Sequence, residues 1–198
     1  MERAYHGTTT VGLKVKDGVI LAADKRASQG YYVAHKKVRK LVEIDDHIVM
    51  STAGLVADAQ MLASQLRIMA RQYRLENGAK VTVKYLASYL GLLLNSSKYS
   101  PYQVQLLLGG YDDAPRLYSI SLFGDYFEEN YTITGSGSPV AVGVLEEGYR
   151  EDLSIEDAVN LAVEAVRAAI KRDVFTGEAV DVAIITREGI RWESFSKE

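Results

Sequence analysis

The segment from Thr8 to Lys25 constrains the fold more than any other part of the chain. Residues Thr8–Lys16 (Thr, Thr, Thr, Val, Gly, Leu, Lys, Val, Lys) follow the two-residue alternation of a strand with one wet face. Asp17-Gly18 follows, a pair suited to a tight hairpin turn because glycine takes positive φ without strain and aspartate tolerates it. Val19–Lys25 then returns as the partner strand. A chain that opens this way is committed to antiparallel pairing from the start.

Further strands are expected near Tyr31–Ala34, Lys40–Ile44 and His47–Ala53, the first two flanking the basic stretch His35–Lys40. Gly54 ends the last of these and a helical pattern begins. Val56, Ala59, Met61, Leu62, Leu66, Met69 and Ala70 recur at three- and four-residue steps until Gly78 stops it. A second helix is expected near Val81–Lys98 on Leu86, Leu90, Leu93 and Leu94. Val104–Gly110, Arg116–Ser121 and Tyr126–Thr134 read as three strands. The turn Gly135–Ser138 and Pro139 open a short helix to about Tyr149, and Ser154-Ile155-Glu156-Asp157 is a capping-box-like start for a helix Ile155–Arg172, with Ala158, Leu161, Ala162, Ala165, Val166 and Ala169 inward. Val180–Thr186 and Ile190–Trp192 close the chain as strands. Strands and helices thus come in groups instead of alternating, which predicts an α+β fold in which two antiparallel sheets lie between two helix pairs.

Composition narrows the chemistry. With 198 residues and no visible linker or repeat, one domain is expected, and a chain of this length buries about 70% of its unfolded surface without staples. The absence of cysteine excludes a disulfide scaffold, thiolate zinc and a cysteine nucleophile. His6, His35 and His47 are the only histidines, so a three-histidine metal site or a serine–histidine pair would have to draw on those. A formal charge of −3 and a pI near 5.7 argue against nucleic acid as a partner. A mean hydropathy of −0.07 with no long apolar run argues against a membrane span, and Met1–Gly7 is too short and polar for a signal peptide, so an intracellular, cytoplasmic protein is expected.

The junction Gly7-Thr8-Thr9-Thr10 carries the chemical signal. Threonine is a good strand residue, so these positions need no reaction to explain them. The sharper reading is that the peptide before Thr8 is cut, leaving Thr8 as a new N-terminus. An α-amine has a pKa of about 7.7–8.0, close enough to neutral to take a proton from the hydroxyl of its own residue. Such an arrangement needs no histidine.

Six segments in order then make the chain recognisable: Thr8-Thr9-Thr10-Val11-Gly12, Ala22-Ala23-Asp24-Lys25-Arg26, His35-Lys36 with Lys40-Leu41, Ala53-Gly54-Leu55-Val56-Ala57-Asp58, Gly135-Ser136-Gly137-Ser138, and Arg172-Asp173 with Gly177. Together they resemble a proteasome β subunit of the archaeal type, one of the N-terminal-nucleophile hydrolases, from Thr8 to about Thr186. The resemblance implies a four-layer αββα sandwich and a threonine endopeptidase. It implies Thr8 as nucleophile, Gly7 as the residue before self-cleavage, residues 1–7 as a removed propeptide and 8–198 as the catalytic domain. Lys40 matches the lysine whose charge lowers the proton affinity of Thr8, and Asp24 the acid that pairs with it; alone, they read as part of a solvated basic run and a strand-end aspartate. Ser136 and Asp173 match residues that hydrogen-bond around the terminal amine, although a Gly-Ser-Gly-Ser turn and a helix end explain them equally. Thr176 stands where the family usually carries serine, which keeps the hydroxyl and adds a methyl. Gly54, at a strand-to-helix junction, is placed to offer its N–H to an oxyanion, and a side chain there is expected to crowd the substrate. The resemblance also implies Ala27, Thr52 and Val56 as walls of the pocket for the side chain preceding the cut, with Ser28 on the substrate backbone. Those uncharged walls predict broad cleavage after apolar or neutral residues.

No metal or organic cofactor is implied. The resemblance implies sevenfold β rings, stacked in pairs and capped by α-subunit rings (α7β7β7α7), fed with unfolded polypeptide by a separate ATP-dependent unfoldase. Alternatives are an unprocessed or inactive structural β subunit of the same ring, the simpler bacterial ATP-dependent peptidase, and a small-molecule amidohydrolase of the same superfamily.

Overall fold

The computed structural model describes residues 7–30 and 32–196. Of the expected leader, Gly7 alone is among them; Met1–His6 lie outside the described residues. The chain runs β1 (Thr10–Val15), β2 (Gly18–Asp24), β3 (Ala27–Gln29), β4 (Tyr32–His35), β5 (Leu41–Asp45), β6 (Ile48–Gly54), α1 (Val56–Asn77) and α2 (Val83–Ser96). It continues through β7 (Val104–Tyr111), β8 (Pro115–Ile120), β9 (Tyr126–Glu128), β10 (Tyr131–Thr134), α3 (Ser138–Gly148), α4 (Ile155–Arg172), β11 (Ala179–Thr186) and β12 (Gly189–Ser196). One five-stranded sheet has the order β10-β1-β2-β11-β12, a second has β5-β6-β7-β8-β9, and β3-β4 form a small separate ribbon. Every pairing is antiparallel among the described residues.

The two sheets face each other, with α3 and α4 outside the first and α1 and α2 outside the second, so the expected four-layer sandwich is what the chain forms. Strand β2 explains the layering by itself. All seven of its residues are buried, because both of its faces are covered. Ile20 and Ala22 point into the layer under α3 and α4, whereas Val19, Leu21 and Ala23 join Leu41, Val49, Leu107 and Leu117 between the sheets.

Helix α1 ends where Gly78 adopts a left-handed conformation (φ 63°) and returns its N–H to the Arg74 carbonyl, the usual relief for a helix C-terminus. In α4 the Ser154 hydroxyl accepts from Asp157 N at 3.0 Å and donates to the Asp157 carboxylate, while Glu156 and Asp157 at the start and Lys171 and Arg172 at the end match the helix dipole.

Four local expectations change. The first hairpin loop is Lys16-Asp17, since Val15 pairs with Gly18; glycine is needed at 18 because an added Cβ would lie 2.5 Å from the Ile185 carbonyl of β11. The single strand expected over Tyr126–Thr134 is two, β9 and β10, in different sheets. Glu129 N–H donates to the Leu117 carbonyl and Asn130 accepts from Lys14 N–H, so the chain crosses from one sheet to the other there. Strand β12 runs beyond Trp192 to Ser196, where it still pairs with Ala179. Met61 in α1 faces outward instead of joining the buried stripe of Ala59, Leu62, Ala63, Leu66 and Ala70.

Candidate active site

Thr8 and Thr9 enter the first sheet just ahead of β1, beside the end of β2. The β1–β2 register carries on past Thr10, bringing Thr9 against Asp24: Asp24 N–H donates to the Thr9 carbonyl at 3.3 Å, and Thr9 N–H donates to Asp24 Oδ1 at 3.0 Å. The same Oδ1 accepts from Lys40 Nζ at 2.7 Å, and Oδ2 accepts from the N–H groups of Arg26 and Gly177, each at 3.0 Å. Lys40 stands directly before β5, at the entrance to the second sheet. This ion pair is sealed from water, its side chains 5% and 0% exposed. A carboxylate buried so deeply is tolerable because its lone pairs face donors. Burial pushes the Lys40 ammonium below its ordinary pKa; Asp24, by charge and hydrogen bond, pulls it back without cancelling the shift.

On its other side Thr8 meets the turn after β10 and the loop after α4. Thr8 N–H donates to Ser136 Oγ at 3.2 Å, and Ser136 Oγ–H donates to Asp173 Oδ2 at 2.5 Å. Thr176 Oγ1–H donates to the same Oδ2 at 2.6 Å, which leaves its lone pairs free to accept from the Thr9 hydroxyl at 2.7 Å. A carboxylate cannot donate, so the directions along this relay are fixed: every proton points toward Asp173. Thr8 Oγ1 donates to the Gly7 carbonyl oxygen at 2.8 Å. The turn approaches closely because Gly135, at φ 95°, has no Cβ; one placed there would overlap the Thr8 carbonyl.

A cavity of about 340 Å³ opens beside Thr8. Gly54, Ala27, Thr52 and Val56 line it together with Gly7, Thr8 and Lys40, which brings all but one of the expected pocket residues to a single place. The exception is Ser28, which is buried and does not border the cavity. Gly54 has φ 109°, and a Cβ there would overlap the Gln103 carbonyl. Its glycine is therefore demanded by the chain's own backbone at the turn into α1, ahead of any crowding of a substrate. The walls are not free of charge either: Arg26 and Arg39 border the same space.

Sequence reasoning missed Thr9, Arg26 and part of the cavity wall. Thr9 holds both Asp24 and Thr176, yet reads as an ordinary strand threonine. Arg26 clamps the loop after α4, donating from Nε and Nη2 to Glu178 Oε1 at 3.2 and 3.0 Å and from Nη1 to the Val174 carbonyl at 2.9 Å. Its position in the run Asp24-Lys25-Arg26 was the available signal. Val38, Val42, Ala59 and Gln60 complete the cavity wall. A group that could ligate a metal, Asp45, Asp46 and His47, lies in the β5–β6 turn at the far end of β6 from Gly54, where Arg74 and Lys80 already pair with the carboxylates.

A threonine whose nitrogen and hydroxyl are both held, beside a sealed lysine–aspartate pair and a cavity, is an arrangement able to attack a carbonyl placed there. The chain matches a family model described as proteasome subunit over residues 4–185. It is 58% identical over 180 residues to proteasome subunit beta 2 of Staphylothermus marinus, covering 90% of this chain and 86% of that protein. It is 52% identical over 193 residues to proteasome subunit beta 2 of Hyperthermus butylicus (98% and 91% covered) and 50% identical over 188 residues to proteasome subunit beta 1 of Pyrococcus furiosus (94% and 96% covered). No helix among the described residues is long and apolar enough to cross a membrane. The four-layer architecture, the matched family model and these β-subunit relatives agree: the chain belongs to the proteasome subunit family.

Proposed function

We propose that this chain is the proteolytic β subunit of a proteasome core, a threonine-type endopeptidase of the N-terminal-nucleophile class that cuts its own Gly7-Thr8 bond before cutting substrates. Residues 1–7 are then a propeptide and 8–198 the mature domain. The observation that carries the reading is the convergence on Thr8: Thr8 N bonded to Ser136, Ser136 and Thr176 bonded to Asp173, and Lys40 bonded to Asp24 at the edge of the same cavity.

In the precursor, Thr8 Oγ attacks the Gly7 carbonyl carbon through a five-membered ring of N, Cα, Cβ, Oγ and that carbon. Collapse breaks the amide and leaves an ester to Oγ, with the nitrogen, now protonated as an amine, as leaving group. Water hydrolyses the ester, releasing the leader as a carboxylate and restoring the hydroxyl. In the mature enzyme the Thr8 amine takes the hydroxyl proton as Oγ attacks a substrate amide, and delivers it to the departing amine. Ser136 accepts from the amine because its own proton is committed to Asp173. This orients the remaining lone pair without consuming it. Lys40 contributes positive charge that lowers the proton affinity of the Thr8 amine and hydroxyl, and Gly54 N–H is the proposed oxyanion donor. Water then hydrolyses the acyl-enzyme. No cofactor takes part.

The partners are other β subunits and α subunits in stacked rings, an ATP-dependent unfoldase and unfolded polypeptide, in the cytoplasm. Named β-subunit relatives support the assembly. Ala27, Thr52 and Val56 favour neutral side chains before the cut, and Arg39 gives the rim a reach toward acidic ones.

The test is intact mass and hydrolysis of fluorogenic peptides by the chain assembled with α subunits, beside Thr8→Ala. The parent is expected to lose Met1–Gly7 and cleave the peptides, and Thr8→Ala to do neither. Equal activity of the two rejects the nucleophile. An assembled parent that keeps its leader and is inert favours the structural subunit instead.

A further inference from the structure

Gly7 is buried, and its backbone runs directly against Phe175 in the loop after α4. A Cβ built on Gly7 would overlap Phe175 Cβ, reach Phe175 Cγ at 2.5 Å and meet Ser136 Oγ at 2.9 Å. Rotating the phenylalanine ring gives no relief, because a Cβ atom does not move with χ1. Only a backbone shift makes room. On the Phe175 side that backbone is pinned at four points. Phe175 N–H donates to Asp173 Oδ1 and Thr176 N–H to the Asp173 carbonyl, each at 3.2 Å, Arg26 Nη1 to the Val174 carbonyl at 2.9 Å, and Gly177 N–H to Asp24 Oδ2 at 3.0 Å. Moving this loop drags Asp173 away from Ser136 and Thr176 away from Thr9. On the Gly7 side, retreat pulls the carbonyl away from Thr8 Oγ1, now 2.8 Å from its oxygen.

We infer that Phe175 is a positioning residue for precursor maturation, a steric gauge that admits glycine and no larger residue before Thr8. The inference rests on the proposed self-cleavage at Gly7-Thr8. The gauge acts through Cβ, so it reads the presence of any side chain at position 7 and not its polarity. It also couples maturation to completion of the site: the loop that seats Gly7 correctly is the one whose Asp173 takes the proton of Ser136, the acceptor for Thr8 N–H, and whose Thr176 bonds Thr9.

The experiment follows leader release by intact mass over time in particles assembled with α subunits, for the parent, Gly7→Ala, Phe175→Gly and the double variant, with Gly7→Ala/Phe175→Ala as a second combination. Gly7→Ala is expected to slow release about 100-fold, the scale of a misplacement near 1 Å at a reacting centre. Phe175→Gly should restore most of that loss, and Phe175→Ala, which keeps Cβ, should restore little. A general weakening of the loop predicts the reverse, two defects that add. Release from Gly7→Ala at the parent rate, a double variant with Phe175→Gly as slow as Gly7→Ala alone, or full rescue by Phe175→Ala each overturns the gauge while leaving self-cleavage standing. A parent that never releases its leader overturns both.

Discussion

Lys40 and Thr176 show how single groups set the behaviour of the site. Burial holds the Lys40 proton less tightly in the folded chain than in the unfolded one. Between the lowered value and the ordinary lysine value the unfolded state therefore carries more protons, and stability rises with pH across that window. Urea midpoints measured through it should rise for the parent, and Lys40→Met should flatten the rise. The same substitution should lower peptidase activity by about 10²–10³-fold, the scale for losing one preorganised electrostatic group. Thr176→Ser keeps the oxygen that bridges Thr9 and Asp173 and should stay within a few-fold of parent activity. Thr176→Val keeps the shape but strands the Thr9 hydroxyl; it should destabilise by about 1–3 kcal/mol in chemical denaturation and depress kcat more than it raises KM. At this scale the Lys40–Asp24 pair was legible through the resemblance, which supplied the counter-charge a buried lysine requires. The sequence was silent where the partner is distant: the Arg26 clamp closes on Glu178, 152 residues away, and nothing local to either residue announces it.

Long helices were the most readable elements, because α1, α2 and α4 carry a sustained helical period and end at residues with a physical reason to end them. The Ser154 cap illustrates this. Ser154→Ala should lower stability by about 1 kcal/mol by thermal or urea unfolding while leaving peptide hydrolysis unchanged, since α4 loses a satisfied N–H but its C-terminal end still presents Asp173. Short strands resisted. Nothing in Tyr126–Thr134 states that β9 belongs to one sheet and β10 to the other, because alternation reports which way a side chain points and not which neighbour it meets. The ribbon β3–β4 is similar, too short for a period to emerge and irregular at Ala27–Ser28. Gly54 was read correctly as the hinge between β6 and α1, but its obligatory glycine answers to Gln103.

Across the whole molecule, stability and site geometry depend on the same interior layer. Val19, Leu21 and Ala23 from one sheet lock against Leu41, Val49, Leu107 and Leu117. Leu21→Ala should cost about 2–5 kcal/mol in one cooperative unfolding transition, and activity should vanish together with the fold as denaturant rises. Grouped strands and helices had pointed to this layering, whereas the meeting of Thr8, Lys40, Ser136 and Asp173 came from resemblance, since they lie on separate stretches of the chain that pattern alone cannot bring together. Asp24 joins those stretches most tightly, receiving donors from Thr9, Arg26, Lys40 and Gly177. Anyone wanting an inert particle to trap client chains should leave this carboxylate untouched. An asparagine there would set an amide hydrogen against one of those incoming donors and loosen both halves of the sandwich at once, so disarming the particle without dismantling it has to be done at the Thr8 hydroxyl.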